Sequence, residues 1–402
     1  MTARDPTDLP GAAGDLRPEP LSRKSRIWLW LFVAVVVVLL IVPILIELLL
    51  GGPTDFLTFY AAAQLALDGN LEAAFDGPSL LDRQRATFPR TERLAPFYYP
   101  PSYLLLTFWL PALPYAVAQI TFLGVTFVLL LIAIRPLLAD FDDLVILLAA
   151  PAVWINVAHG QNAFLTTALA VLACRCLAKR QARAGAWLGL LSIKPHLCLL
   201  WPVLLLAGRR WVTIVAGFVS LAVVIGLSAA IFGTGAWRAF FASALLEAYT
   251  NLANSNLALS WMASPYAGLL LLGISESVAL SVHLVCALTI IAIIVHLIML
   301  RAAARFVLAV IFVGTLLVTP HSYTYDWVFT LPGLLIVWQR ARATGFLPFE
   351  RAGLVLGYIA PALVAVSKDL DMPFAPLLLL ASVATVVRRG YAESGFRRSG
   401  QL

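Results

Sequence analysis

The stretch Gly51–Asp76, GGPTDFLTFYAAAQLALDGNLEAAFD, decides how this chain is read. It follows the first long apolar run, Ile27–Leu50, and places a carboxylate, Asp55, where a chain leaving a bilayer first meets water. That run is longer than the roughly 20 residues needed to cross a bilayer core. It is also too long for a signal-peptide core and no small-residue cleavage site follows it, so it is expected to stay as the first span. Arg23, Lys24 and Arg26 precede it, which holds the N-terminus in the cytoplasm and brings Gly51 out on the exterior side. Residues 51–114 then form an exterior loop. Within it Phe56–Leu67 reads as an amphipathic helix, with Phe56, Phe59, Tyr60, Ala63 and Leu67 on one face. Thr54 can cap its start, Asp55 enriches the first turn and Gly69 stops it.

Composition sets the surroundings of that exit point. Of 402 residues, 61% are hydrophobic and 12% charged, with mean hydropathy +0.91. A soluble domain carries about 25% charged and about 45–50% apolar residues. Too little polar surface remains to coat a water-soluble globule, and the chain reads as an all-α polytopic membrane protein. The net charge of +7 would suggest nucleic acid in a soluble protein. Here Lys and Arg cluster in short loops, as cytoplasmic loops require, so the expected partner is the lipid bilayer and no nucleic acid. The cysteines, Cys174, Cys176, Cys198 and Cys286, sit inside apolar runs and read as small buried residues. Residues 1–22, rich in Pro, Gly and Asp, read as a disordered cytoplasmic tail, 23–390 as one transmembrane domain and 391–402 as a second cytoplasmic tail.

Next comes FYYPPSYLLLTFWLPALPY, Phe97–Tyr115, whose apolar core Ser102–Ala112 is fenced by prolines and too short to span. It reads as a re-entrant or surface-lying helix on the exterior side. Spans are then expected at Tyr115–Leu137, Leu144–Ala158 and Asn162–Lys179, followed by half-length helices Ala184–Ile193 and Leu197–Ala207 broken at Lys194-Pro195. Trp211–Phe232 leads to a second exterior loop, 233–266. Ser277–Leu300, Phe306–Thr319, Trp327–Gln339, Arg351–Ser367 and Phe374–Val387 complete about twelve crossings or half-crossings, with both termini cytoplasmic and a plasma-membrane location.

Under this topology the polar residues that interrupt apolar sequence gather at exterior ends. They are Asp55; His159, Gln161 and Asn162 in HGQN; Lys194 and His196 in IKPH; and His321, Tyr323, Tyr325 and Asp326 in PHSYTYD. A central charge costs about 2.5–3.5 kcal/mol on insertion scales, so each needs a partner or a water-filled cavity. Broken helices at membrane depth are tolerated only where they line such a cavity. A pocket opening outward is expected, lined by Tyr60, Tyr99, Gln161, Asn162, Tyr325 and Asp326. Singly, each residue has an ordinary reading: Asp55 as a helix N-terminal charge, Lys194 as a snorkelling side chain, His196 and His321 as satisfied interior histidines. Their convergence on one side carries the weight. No GxGxxG after a strand, P-loop, HExxH or GxSxG occurs. Asp140-Phe141-Asp142 has the DxD spacing with which nucleotide-sugar transferases hold a metal, but it lies on the expected cytoplasmic side and reads as a solvated loop.

Four stretches, in this order, together resemble glycosyltransferase family 87: TDFLTFYAAAQLALDGNLEAAFD, FYYPPSYLLLTFWLPALPY, GQNAFLTTALAVLACRCLAKRQARAGAWLGLLSIKPHLCLLWPVLLL and TPHSYTYDWVFTLPGLL. These are integral-membrane enzymes of the GT-C class, whose characterised members are mannosyltransferases using polyprenyl-phosphate mannose. The resemblance implies a GT-C-like bundle. In it Asp55 matches the acidic residue after the first span that serves as catalytic base, and His321 the histidine beside the donor phosphate. Lys194 matches the lysine of the KP break, and electrostatics adds a donor-phosphate role for Lys194 and His196.

The implied chemistry suits these residue types. A carboxylate can take the proton of an acceptor hydroxyl as it attacks the anomeric carbon. Lys194 and a protonated His321 would stabilise the departing lipid phosphate. One carboxylate without a second nucleophile favours single displacement with inversion. No metal or separate cofactor is expected, since the donor is a monophosphodiester, and the acceptor would be a cell-envelope glycolipid or polysaccharide. The other reading is a secondary transporter or lipid flippase, which also uses broken helices and intramembrane charges. Against it, no internal repeat pairs two broken helices.

Overall fold

The computed structural model describes residues 19–50, 52–244, 259–367 and 372–399; the expected tail up to residue 18, residues 245–258 of the expected loop 233–266, and residues 400–402 lie outside the described residues. Among the described residues the chain is helical, with a single isolated antiparallel bridge between Met262 and Tyr323. Helices satisfy every interior backbone group within one segment, which is what a chain surrounded by hydrocarbon needs.

Among the described residues six helices are long and apolar enough to cross a membrane: Arg23–Ile46, Tyr115–Leu137, Phe141–His159, Trp211–Phe232, Glu276–Met299 and Phe374–Ser394. This is the pattern of a multi-pass membrane protein. Four further apolar helices are shorter: Phe56–Leu67, Ala163–Leu177, Pro195–Ala207 and Ala304–Val318. At about 1.5 Å per residue such helices fall short of the roughly 30 Å hydrocarbon core. Ala304–Val318 is the centre of the molecule, with every residue except Arg305 buried. Trp211–Phe232 is its opposite, burying only Thr213 and Ser228. It is held to the Gln181–Leu191 helix by close backbone approach, since a Cβ at Gly185 would stand 2.3 Å from the Thr213 carbonyl oxygen and one at Gly189 2.5 Å from Ser220 Cβ. Small residues at four-residue spacing are the usual means of such packing in lipid.

The Phe56–Leu67 helix has the expected bounds but not the expected single apolar face. Phe56 to Ala63 and Leu65 are all buried, whereas Leu67, assigned to the packed face, is 59% exposed. The cover comes from the segment after Phe97. Phe59 meets the Tyr99 and Tyr103 rings at 5.0 and 5.1 Å, and Tyr60 donates its hydroxyl to the Leu113 carbonyl at 3.0 Å. That covering segment is not one helix over 102–112. It is three short turns, Pro101–Tyr103, Leu104–Thr107 and Leu110–Ala112, because its prolines interrupt the hydrogen-bond ladder.

The Asp140-Phe141-Asp142 sequence is not a solvated loop. Asp140 caps the Phe141–Leu148 helix by accepting from Asp143 N at 3.0 Å and pairs with Arg342 at 2.5 Å, while Asp142 accepts from Arg26 at 2.9 Å. The helix from Phe374 runs on past the expected end at Val387 to Ser399, and Arg389 within it grips Glu350 with two nitrogens. Asp142 and His159 mark opposite ends of one span, about 25 Å apart along its axis. The charge network thus lies at one end of the bundle and the HGQN turn at the other.

Candidate active site

Four chain breaks meet at the HGQN end. The Phe56–Leu67 helix starts with Asp55 at its cap position, but the Asp55 side chain makes no capping bond. Thr54 serves instead, its Oγ1 accepting from Phe56 N at 3.3 Å and from Gln119 Nε2 at 3.0 Å. Tyr115 OH anchors the same residue, accepting from Thr54 N at 3.2 Å. The Asp55 carboxylate is therefore available to the HGQN turn. His159 Nδ1 lies 3.1 Å from its Oδ2, and Gln161 Nε2 donates to the same oxygen at 3.4 Å. A carboxylate only accepts, so Nδ1 is the donor. The Asp55 side chain is 43% exposed and that of His159 28%.

Gly160 makes this approach possible. Its φ is +65°, and a Cβ there would fall 2.7 Å from Phe56 Cβ and 2.9 Å from both Gln119 Nε2 and Thr54 Oγ1. A left-handed, side-chain-free residue both ends the Pro151–His159 helix and lets the turn close onto Thr54–Phe56.

A second layer lies behind the first. Gln161 Oε1 accepts from Tyr99 OH at 3.0 Å, and the Tyr99 and Tyr103 rings stack at 4.7 Å. Adjacent Asn162 accepts from Lys194 Nζ at 3.3 Å through its Oδ1, and Lys194 donates to Asp326 Oδ1 at 2.6 Å. Lys194 Nζ also sits over the Tyr325 ring at 5.0 Å. Both charged side chains are almost wholly buried, 5% and 1% exposed. Lys194 is thus not an unpaired cation: Asp326 balances its charge, and two of its three ammonium hydrogens are engaged. His196 Nε2 stands 3.9 Å from Asp326 Oδ2, beyond direct hydrogen-bond range. Burial pushes the His321 imidazole down to about 4, and neighbouring His196 and His283 add to this, so His321 is neutral at pH 7 and not the protonated group expected from sequence.

Neighbouring Gln161 and Asn162 therefore join the two layers, one reaching Asp55 and the other Lys194. Four buried polar atoms here fall outside hydrogen-bond geometry: Tyr103 OH and Asn162 Nδ2, and His196 Nε2 and Asp326 Oδ2, the last two facing each other at 3.9 Å. Tyr60, expected in the pocket, instead points to Leu113. Two residues gain a place that the sequence reading did not give them. His159 contacts Asp55, and Trp261 packs 5.3 Å from the His159 ring, with Tyr325 at 5.5 Å. The backbone bonds Ala263 N to Ser322 O at 2.8 Å and Thr324 N to Trp261 O at 3.1 Å hold the Trp261 and Tyr325 segments together. HGQN already displayed His159, but only packing across the chain selects its partner.

Asp55 Oδ2 is held by two donors, and among the described residues no hydrogen bond engages Oδ1. Such a carboxylate can take a proton from an incoming hydroxyl. The sequence profile of glycosyltransferase family 87 matches residues 97–320, a segment that contains HGQN and IKPH and lies between Asp55 and His321. The match covers more than half of the chain, so the chain belongs to glycosyltransferase family 87, and that membership marks it as a glycosyltransferase. Comparisons with curated proteins and with solved structures found no match.

Proposed function

We propose that this glycosyltransferase moves a sugar, mannose by the resemblance above, from a polyprenyl-phosphate donor to a hydroxyl of a cell-envelope glycolipid or glycan. Asp55 acts as general base, and the anomeric centre inverts. The observation that carries this reading is the half-exposed Asp55 carboxylate, held on one oxygen by His159 and Gln161, with no hydrogen bond to the other oxygen among the described residues. The acceptor proton passes to Asp55 as the acceptor oxygen bonds the anomeric carbon. The bond from that carbon to the phosphate oxygen breaks, and its electron pair leaves with the lipid phosphate. General-base assistance of this kind contributes typically about 10²–10⁴-fold.

The neutral His321 supports a revised part in this scheme: it offers the donor phosphate an N–H and not a full charge. Lys194 adds its third ammonium hydrogen while Asp326 keeps the pair neutral between turnovers. Such preorganised donors stabilise charge as it develops in a site that excludes water. In this proposal the chain forms a GT-C-like bundle of about twelve crossings and half-crossings in the plasma membrane, the shorter helices counting as half-crossings. Its site opens to the exterior and both termini are cytoplasmic. The test uses purified full-length protein, labelled polyprenyl-phosphate mannose and extracted envelope glycolipids. Transfer by the wild type and its loss in a folded Asp55→Asn variant are expected; full transfer by that variant ends the proposal.

A further inference from the structure

We infer that His159 is a positioning residue for Asp55, holding one carboxylate oxygen so that the other faces the acceptor hydroxyl; this rests on the reading of Asp55 as the general base. An unrestrained aspartate rotates about two side-chain bonds and presents either oxygen in many directions. Here both donors, His159 Nδ1 at 3.1 Å and Gln161 Nε2 at 3.4 Å, fall on Oδ2. Two bonds to one oxygen remove that rotation and single out Oδ1. Productive proton transfer needs such fixed geometry, and misplacement by an ångström is costly in rate.

Several independent features build the pair. Asp55 stands at the N-terminus of one helix, where backbone dipoles favour a negative group. His159 is the last residue of another, where they favour an N–H donor. The Trp261 and Tyr325 rings flank the imidazole at 5.3 and 5.5 Å and fix its tilt. Gly160 brings the turn close enough, since any Cβ would collide with Phe56, Gln119 and Thr54. A histidine that merely filled space would not need its ring nitrogen aimed at a carboxylate, nor would it stay 28% exposed beside it.

During transfer the acceptor proton moves to Oδ1, while His159 keeps its own Nδ1 proton and donates throughout. In this role the imidazole acts through Asp55 and not on the sugar donor, so its loss should lower turnover and leave donor binding alone.

The experiment separates nitrogen from ring. His159→Phe keeps the packing against Trp261 and Tyr325 and loses the donor, whereas His159→Asn keeps a donor at the Nδ1 position and loses the ring. Full-length variants are assayed with labelled polyprenyl-phosphate mannose and extracted envelope glycolipids, alongside wild type and Asp55→Asn. For His159→Phe, kcat should fall about ten- to a hundredfold, by analogy with the loss on removing the partner that orients a metal ligand. Its KM for the donor should stay within about twofold, and kcat of His159→Asn within a few-fold of wild type. Wild-type kcat in the Phe variant overturns the inference. So do equal losses in both variants with lowered melting temperatures, which would mean a packing role. If wild type transfers nothing, or Asp55→Asn transfers fully, the underlying assignment of Asp55 fails instead.

Discussion

At one end of the bundle Asp143 accepts four hydrogen bonds, from Ala139 N, Trp338 Nε1, Gln339 Nε2 and Arg342 Nη1 at 2.9–3.1 Å. At the other, Asp55 accepts two, both on one oxygen. A carboxylate has about four lone-pair sites, so Asp143 is saturated and Asp55 is not. Glu350 repeats the first pattern, with Arg389 on both oxygens and Leu347 N on one at 2.9 Å. Asp326 lies between the two, one oxygen on Lys194 and the other facing His196 Nε2 at 3.9 Å. The same residue types build a clasp at one end and a candidate site at the other. Unfilled hydrogen-bonding capacity separates them, because a group that must receive a substrate cannot also be fully satisfied by the fold.

The sharpest way to break this contrast is to neutralise the open acid. Asp55→Asn should cost about 10²–10⁴-fold in transfer with an unchanged melt, which labelled-donor kinetics and thermal scans in detergent can check. The clasp should respond in the opposite sense. Arg389→Met leaves Glu350 buried without its partner and should cost about 3–5 kcal/mol of stability. The protein that remains folded should turn over normally, and a large fall in its kcat would erase the distinction between the ends.

Gly160→Ala should move both readouts together. The strained left-handed backbone and the collision with Phe56 predict a loss of about 1–3 kcal/mol, and kcat should drop because His159 and Gln161 are pushed from Asp55. A variant that loses stability but keeps kcat would detach the turn from the site.

The smallest effect concerns acid. His321 is held at about 4, below its ordinary 6.5, so within that window the unfolded chain binds a proton that the folded chain refuses. Stability therefore falls as pH drops from about 6.5 towards 4. His196 and His283 face the same imidazole and oppose its protonation. His321→Asn should flatten the decline in melting temperature over that window; an identical decline in variant and wild type would remove His321 from the account.

Much of the scaffold was readable in the sequence. Trp211–Phe232 begins and ends where its apolar run does, and the helices break at HGQN, IKPH and PHSYTYD as their Gly, Pro and polar residues require. Asp55, Lys194 and His321 were legible as polar interruptions on one side. Their electrical states were not. In sequence Lys194 reads as an unpaired cation and His321 as a protonated imidazole; packing sets Asp326 against the first and burial keeps the second neutral. Leu67 shows a subtler limit: helical periodicity put it on the packed face, yet the turns after Pro101 cover the helix elsewhere.

Hydropathy and helix signals are sums over neighbouring residues, so membrane character, the approximate places of the long apolar helices, the main chain breaks and family membership could be read along the chain, whereas the turns after Pro101 and the end of the last helix could not. Which acid is open and which is locked could not. His159 meets Asp55 across 104 positions, Lys194 meets Asp326 across 132, and Arg342 meets Asp143 across 199. Hydrogen bonds and ion pairs form or fail within a few tenths of an ångström, and only the packing of distant helices sets distances that finely.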